Sequence, residues 1–265
     1  MKRVNRPVLI LVAGLVLITG GVVAAVVIAN RGDDGPNVGG TVRDGAPASK
    51  SKGGTVGGTE VVAKIPASRF SILLQELPSN FQVNVSDTFT QNISTFSTSY
   101  WFKTEAEGSE KANDWRIIDG FNAVFQPKGL VAEVTRGSYY LTVETYMFLD
   151  VAGAQKAWAH YDNVLKSTIG SDAVDAKPLA NNSSAVQIIQ GTVGPSEMVG
   201  IYHRFSFRRG NTIVSVQTWG GQPYMNIDPA RDLAVMIDEK LLGARPAAEP
   251  TAVPTPGFVQ PGGRP

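Results

Sequence analysis

The chain has no cysteine, so disulfides, thiolate metal sites, cysteine nucleophiles and a lipidated cysteine are all excluded. Histidine is almost as scarce. Only His160 and His203 are present, which removes every three-histidine metal site. An excess of charge is missing too: 24 Lys and Arg stand against 23 Asp and Glu, a net charge of +1. Without a basic surplus to neutralise phosphates, nucleic-acid binding is not expected. The common catalytic signatures are also lacking. There is no G-x-S-x-G, H-E-x-x-H, P-loop, G-x-G-x-x-G or calcium-loop spacing of carboxylates. No catalytic residue, metal-ligand set or cofactor is therefore expected.

What the chain does contain is strongly segregated. Residues 1–6 carry Lys2, Arg3 and Arg6, and residues 7–29 then run without a charge, with Thr19 the sole hydroxyl. As a helix that run spans roughly 34 Å, enough to cross a hydrocarbon core of about 30 Å. It has no polar face and is longer than the apolar core of a cleavable signal peptide, so an uncleaved transmembrane anchor is expected. In the alternative, Val27-Ile28-Ala29 would serve as a cleavage site. The basic cluster lies before the span, which places the N-terminus in the cytoplasm and everything after it outside the cell membrane. Gly21, Ala25 and Ala29 repeat at a spacing of four, a pattern that permits a homodimer through close helix approach. An ordinary Ala/Gly-rich span is the plainer reading.

Residues 30–63 are rich in Gly, Ser, Thr, Asp and Pro and lack aromatics, so they read as a flexible tether. Residues 244–265 are proline-spaced and read as a disordered tail, a spacer rather than a peptide ligand. Between them, residues 64–243 hold nearly all the aromatics, enough for one core. This stretch carries fifteen Lys and Arg against eighteen Asp and Glu. An acidic exterior disfavours direct docking of the domain on anionic lipid.

Within that domain, Phe70, Leu73, Leu74 and Leu77 at helical spacing predict a short amphipathic helix over 68–76, stopped by Pro78. Phe81 to Val85 and Ile117 to Phe125 predict strands, and Lys103 to Asn113 a charged surface helix. Thr88 to Phe102 fits either a strand or a helix. Two segments align: Arg136-Gly-Ser-Tyr-Tyr-Leu-Thr-Val-Glu-Thr-Tyr146 and Arg209-Gly-Asn-Thr-Ile-Val-Ser-Val-Gln-Thr-Trp219. Alternating residues precede each one (Ala132, Val134; Phe205, Phe207). A helix opening at Asp150 or Asp228 follows each. This predicts a duplicated strand-turn-strand-helix unit. Gly210-Asn211 between alternating strands predicts a hairpin pairing Phe207 with Val214 and Phe205 with Val216.

That register sorts the strand residues onto two faces. Leu141 and Val143 belong to the apolar one. Tyr140, Thr142, Glu144 and Tyr146 line the other, as do Ile213, Ser215, Gln217 and Trp219. The second face is half polar and dotted with aromatics, and three dispositions are open to it: facing solvent, covered by a helix, or flooring a ligand groove. Tyr140, Glu144, Tyr146, Gln217 and Trp219 are the candidate ligand-binding residues. A deep pocket lined by Tyr140, Tyr146 and Trp219 would favour a small ligand. A flat patch would favour a protein partner.

Other polar residues carry weaker signals. His160 falls opposite Trp158 on its helix and is expected to be exposed, while His203 shares the parity of Phe205 and Phe207 at the core margin. Arg208-Arg209 reads as a solubilising turn, with an anion contact as the alternative. Asn84, Asn92, Asn181 and Asn182 open N-glycosylation triplets.

The order of elements, with "LPSNFQV" at Leu77 to Val83, then "VAGAQKAWAHY", then "FRRGNTIVSVQTW" followed by "ARDLAVMIDEKL", resembles the exported bacterial domains of the Mog1/PsbP-like type. That resemblance implies an antiparallel sheet flanked by helices and used for binding, with no shared catalytic motif. The expectation is thus an α+β domain: an antiparallel sheet built from duplicated hairpin-helix units, with helices packed on the sheet, preceded by one transmembrane helix. Its work would be to bind a small or lipidic ligand or an envelope protein. An extracytoplasmic enzyme with an unrecognised carboxylate site and a structural subunit of a cell-envelope complex are the alternatives.

Overall fold

Residues 62–64, 66–128, 140–193 and 198–250 are described by a computed structural model. The expected span at 7–29, most of the tether, and the strand and turn residues Ala132, Val134 and Arg136 to Ser138 lie outside the described residues. Among those described, no helix is long and apolar enough to cross a membrane.

Eight strands form one antiparallel sheet in the order β1-β3-β4-β8-β7-β6-β5, with β2 also pairing β3. They are β1 Phe81–Val83, β2 Phe89–Gln91, β3 Ile117–Pro127, β4 Tyr140–Phe148, β5 Ser171–Ala173, β6 Asn182–Val193, β7 Met198–Arg209 and β8 Thr212–Gly221. Four helices complete the fold: α1 Ile93–Ser97, α2 Glu105–Trp115, α3 Val151–Ser167 and α4 Asp228–Leu241. The chain is therefore α+β, with helices on both faces of a large antiparallel sheet.

The β7-β8 hairpin forms in the register its alternation demands, Phe205 opposite Val216 and Phe207 opposite Val214. On the other side β8 pairs with β4, Tyr140 opposite Trp219 and Tyr146 opposite Ile213. The first copy departs from the second: β4 pairs with β3, Leu141 opposite Phe125 and Val143 opposite Ala123, where the aligned repeat implies Val134 and Ala132. The helices differ as well. α3 seals the Tyr146 and Ile213 face with Ala154, Ala157, Trp158, Tyr161 and Leu165. α4 packs on the opposite face against Phe205, Phe207, Val214 and Val216 through Ala230, Ala234, Ile237 and Leu241. The links differ in length: Leu149 and Asp150 alone join β4 to α3, whereas Gln222 to Ile227 join β8 to α4. Only the longer link has room to carry its helix round the end of the sheet to the other face.

Local chemistry sets the helix ends. Asp150 caps α3 by accepting from the Gly153 amide at 2.8 Å, and Thr104 caps α2 by accepting from the Glu107 amide at 3.2 Å. Two glycines let neighbouring segments touch. A Cβ at Gly108 would sit 2.1 Å from the Ser97 carbonyl oxygen, and one at Gly153 2.1 Å from that of Trp115. The region 68–76 is two short 3₁₀ turns, Ala67–Phe70 and Leu74–Glu76, and not the amphipathic helix its spacing predicts. The break occurs because Phe70, Ile72 and Leu73 are all buried, a pattern no single helix face provides.

Three further expectations are corrected. Arg208-Arg209 is no solvated turn: Arg209 is 1% exposed and forms two hydrogen bonds, 2.7 and 2.6 Å, to the Asp238 carboxylate of α4. Arg208, also buried, donates to Asn182 Oδ1 and the Gly210 carbonyl. His160 is half-buried, its Nε2 lying 2.7 Å from the Trp101 carbonyl oxygen and its ring stacked on Phe102. The hairpin tip is covered because the incoming chain lies across it. The Ala63 amide donates to Asn211 Oδ1 at 2.8 Å, and Asn211 Nδ2 donates back to the Ala63 carbonyl at 3.2 Å. At the other terminus, contact with the domain continues past Gly243: Ala247 packs on the core and Glu249 pairs with Arg69 at 3.5 Å.

Candidate functional site

Period-two alternation places Tyr140, Thr142, Glu144 and Tyr146 of β4 beside Trp219, Gln217, Ser215 and Ile213 of β8, all on one face. The β7 register extends each row by one residue: Tyr202 opposite Trp219, Arg204 opposite Gln217, Ser206 opposite Ser215. This face is sealed at one end and half-buried at the other. Tyr146 (1% exposed) and Glu144 (5%) lie beneath the 93–115 segment and α3, whereas Tyr140, Gln217 and Trp219 are half-buried at the other end. The five candidate residues therefore share a face but divide between two environments.

The covered end is a hydrogen-bonded seam between sheet and helices. The Tyr100 hydroxyl, from the loop between α1 and α2, donates to Glu144 Oε2 at 3.0 Å and lies 3.3 Å from that of Tyr161 on α3. Tyr146 donates to the other Glu144 oxygen at 3.3 Å and accepts from Gln91 Nε2 at 3.3 Å. Tyr161 donates to Ser215 Oγ at 2.8 Å, with Ser206 Oγ 3.1 Å from both hydroxyls. Arg204 binds the Tyr100 hydroxyl, donates through Nε to Gln217 Oε1 at 2.9 Å, and lies 3.8 Å from Glu144. Its guanidinium carbon also stands 4.8 Å from the centre of the Tyr100 ring.

Burial, reinforced by the Glu144 charge, pushes the Tyr146 hydroxyl well above the ordinary tyrosine value. Burial does the same at Tyr100, where it outweighs the opposing pull of Arg204. Both phenols therefore stay protonated and act as donors. For Arg204 burial works against the charge, but the surrounding phenols and Glu144 outweigh it and the net shift is upward. One buried cation thus balances one buried carboxylate. The seam has a structural rather than a proton-transferring composition.

The half-buried end is a row of rings. Tyr202 stacks on Trp219 at 5.6 Å and 26°, and Tyr140 approaches the other side of Trp219 at 5.8 Å and 46°. Trp219 is held between two tyrosines, so the row presents ring edges rather than open faces. Burial, then the neighbouring Tyr140, raises the Tyr202 hydroxyl above its ordinary value. Behind the rings runs a polar row, Thr142, Gln217 and Arg204. Tyr140, Tyr146 and Trp219 do not line one pocket, because Tyr146 is sealed away. Two cavities lie elsewhere: about 310 Å³ along Ser97 to Glu105, and about 460 Å³ between Thr90 to Ser94 and Ile117 to Asp119.

Tyr202 and Arg204 were legible from the hairpin register, which sets Tyr202 opposite Trp219 once Phe205 is opposite Val216. Tyr100 and Tyr161 were not, because nothing local in their segments says which face of the sheet they reach. Among the described residues, no group of three or more His, Asp or Glu could hold a metal ion.

No family model matches the chain, and no curated protein matches it. Among solved structures, it is similar to the extracellular domain of PknH from Mycobacterium tuberculosis, at 14% identity and a TM-score of 0.48, over 70% of this chain and 100% of that one.

Proposed function

We propose that this chain is a non-catalytic interaction module, held outside the cell membrane by the single span at 7–29, whose partner is an envelope protein. On this reading it is a distant relative of the Mog1/PsbP-like exported domains. The observation that carries the proposal is the edge row Tyr140, Trp219 and Tyr202, three half-buried aromatics on adjacent strands backed by Gln217 and Arg204. Tyr, Trp and Arg are the residues that dominate protein contacts, because each offers apolar area together with a hydrogen-bonding tip. A flat row of edges suits another protein surface better than an enclosed small molecule.

The test is site-specific photocrosslinking of the full chain in intact membranes, with the reactive residue at Tyr202 or, as a control, at Ile169, which is 95% exposed. A discrete protein adduct from position 202 that is absent from 169 and abolished by Trp219→Ala is expected. Equal labelling at both positions would refute the row as the contact. A co-purifying small molecule in native mass spectrometry, lost on Trp219→Ala, would replace the protein partner with a ligand.

A further inference from the structure

Among the described residues, Val62, Ile93, Ile118 and Leu149 are 44 to 53% exposed, and they gather at one end of the sheet. Hydrogen bonds show how they adjoin. Asn211 bonds Ala63 and donates to the Phe148 carbonyl at 2.7 Å, which sets Val62 and Leu149 on either side of the hairpin tip. The Leu149 amide in turn donates to the Arg116 carbonyl at 2.9 Å, two residues before Ile118. Ile118 and Ile93 then line the same cleft, of about 460 Å³. Local geometry turns them outward. The β3-β4 register slips between Ile117 and Asp119, which leaves Ile118 without an opposite residue and exposed while Ile117 is buried. Leu149 lies between the end of β4 and the Asp150 cap of α3, outside both elements.

An exposed aliphatic patch marks a contact with protein or with lipid. Composition separates the two. Protein hot spots favour Tyr, Trp and Arg and seldom use Leu or Val, and none of the four side chains is aromatic. Charge at the border agrees. The two Asp119 oxygens accept from the Ala67 and Gly120 amides, at 2.7 and 2.9 Å, and Asp150 is taken up by the Gly153 amide and by Arg116. The bordering carboxylates are thus engaged within the chain, while Lys64 adds an exposed cation at the rim. An acidic exterior disfavours anionic lipid, but burial of aliphatic side chains among headgroups needs no charge, so a neutral bilayer suits this end.

We propose that this end of the domain rests on the surface of a neutral lipid bilayer, with Val62, Ile93, Ile118 and Leu149 set among the headgroups. The inference rests on the membrane-anchored reading above. Residues 30–61 alone part the apolar run at 7–29 from Val62, so the contact is intramolecular and weak apolar burial suffices to hold it. Because the chain has no cysteine, a single introduced one carries a fluorophore at a defined position. The test labels the full chain at Leu149→Cys or, as a control, at Tyr224→Cys, 57% exposed past the far end of β8. Each is placed in phosphatidylcholine vesicles containing a nitroxide-bearing phosphatidylcholine. Quenching several-fold stronger at 149 than at 224 is expected, reduced in part by Val62→Ser and brought to the level of 224 by Ile93→Ser with Ile118→Ser. The replaced residues are exposed, so the fold is unaffected. Equal quenching at the two positions in chains that sediment with the vesicles, or quenching that survives every substitution, would overturn the inference and leave the anchored reading intact. Chains that fail to sediment would overturn both. A disulfide-linked dimer of the unlabelled Leu149→Cys chain, without quenching of the labelled one, would assign the patch to a second copy instead.

Discussion

The buried pair between Arg209 and Asp238 makes a severe test of how the hairpin end is built. The Arg209 side chain is 1% exposed and that of Asp238 6%, and two hydrogen bonds of 2.7 and 2.6 Å join them. Were this a solvated turn, as an Arg-Arg-Gly-Asn hairpin suggests, the pair would be worth about 0–1 kcal/mol. In the observed geometry, Asp238→Asn removes the carboxylate that faces a guanidinium buried beneath α4, which costs about 3–5 kcal/mol. For a domain of this size that loss lowers the melting temperature by about 6–20 °C. Replacing both partners, Arg209→Met with Asp238→Leu, removes the uncompensated charge and recovers most of it. The assay is urea unfolding of the wild type, Asp238→Asn, Arg209→Met and the double variant, followed by tryptophan fluorescence, which reports the core because Trp101, Trp115 and Trp158 are all buried. A loss below about 1 kcal/mol for Asp238→Asn, at an unchanged slope, would refute the reasoning. So would additive losses in the double variant.

Three further predictions follow from the same coordinates. Glu144→Gln strips the seam of its one carboxylate and leaves Arg204 nearly buried, so it is expected to cost about 3 kcal/mol, with Arg204→Met in the same chain restoring part of it. Urea midpoints of the wild type and these two variants decide this. Gly153→Ala would gain about 1 kcal/mol if helix propensity ruled. A Cβ 2.1 Å from the Trp115 carbonyl oxygen reverses the sign, and a thermal melt should show destabilisation of about 1–3 kcal/mol. Burial lowers the His203 pKa from its ordinary 6.5. Below pH 6.5 the unfolded chain then binds a proton that the folded chain does not, so stability falls as pH drops from 6.5 towards the depressed value. His203→Leu should flatten that part of the stability curve relative to the wild type; parallel curves would show that the histidine contributes nothing to it.

Much of the sheet was legible because alternation is a local property. The register of β7 against β8 follows from Gly210-Asn211 and the parity of Phe205 and Phe207, and α3 follows from Asp150 and its Ala154, Trp158, Tyr161 and Leu165 stripe. Less visible was β6, whose Asn-Ser-Ser opening reads as a loop. Its pairing comes from Arg208 and Phe207 of β7 lying opposite Asn182 and Ser183, and not from its own propensity. The failures at 68–76 and at Arg208-Arg209 share a cause. Both segments lie where distant chain covers them, Glu249 against Arg69 in one case and Asp238 against Arg209 in the other, and no local pattern announces such a neighbour.

The candidate site shows the same limit. Parity alone assigned Tyr140, Glu144, Tyr146, Gln217 and Trp219 to one face, and they are on it. Which of them meets solvent depends on where α3 and the 93–115 segment stop. Those stops depend on how the segments pack on one another, Gly108 against Ser97 and Gly153 against Trp115, which no local pattern announces. The cover ends between the Glu144 row and the Gln217 row, so a single face becomes a sealed polar seam at one end and a half-buried aromatic row at the other. Arg204 stands at the junction, bonded to Tyr100 on the sealed side and Gln217 on the half-buried side. A partner that displaced Gln217 would therefore disturb the seam as well, and the half-buried end of the face is braced by the sealed one.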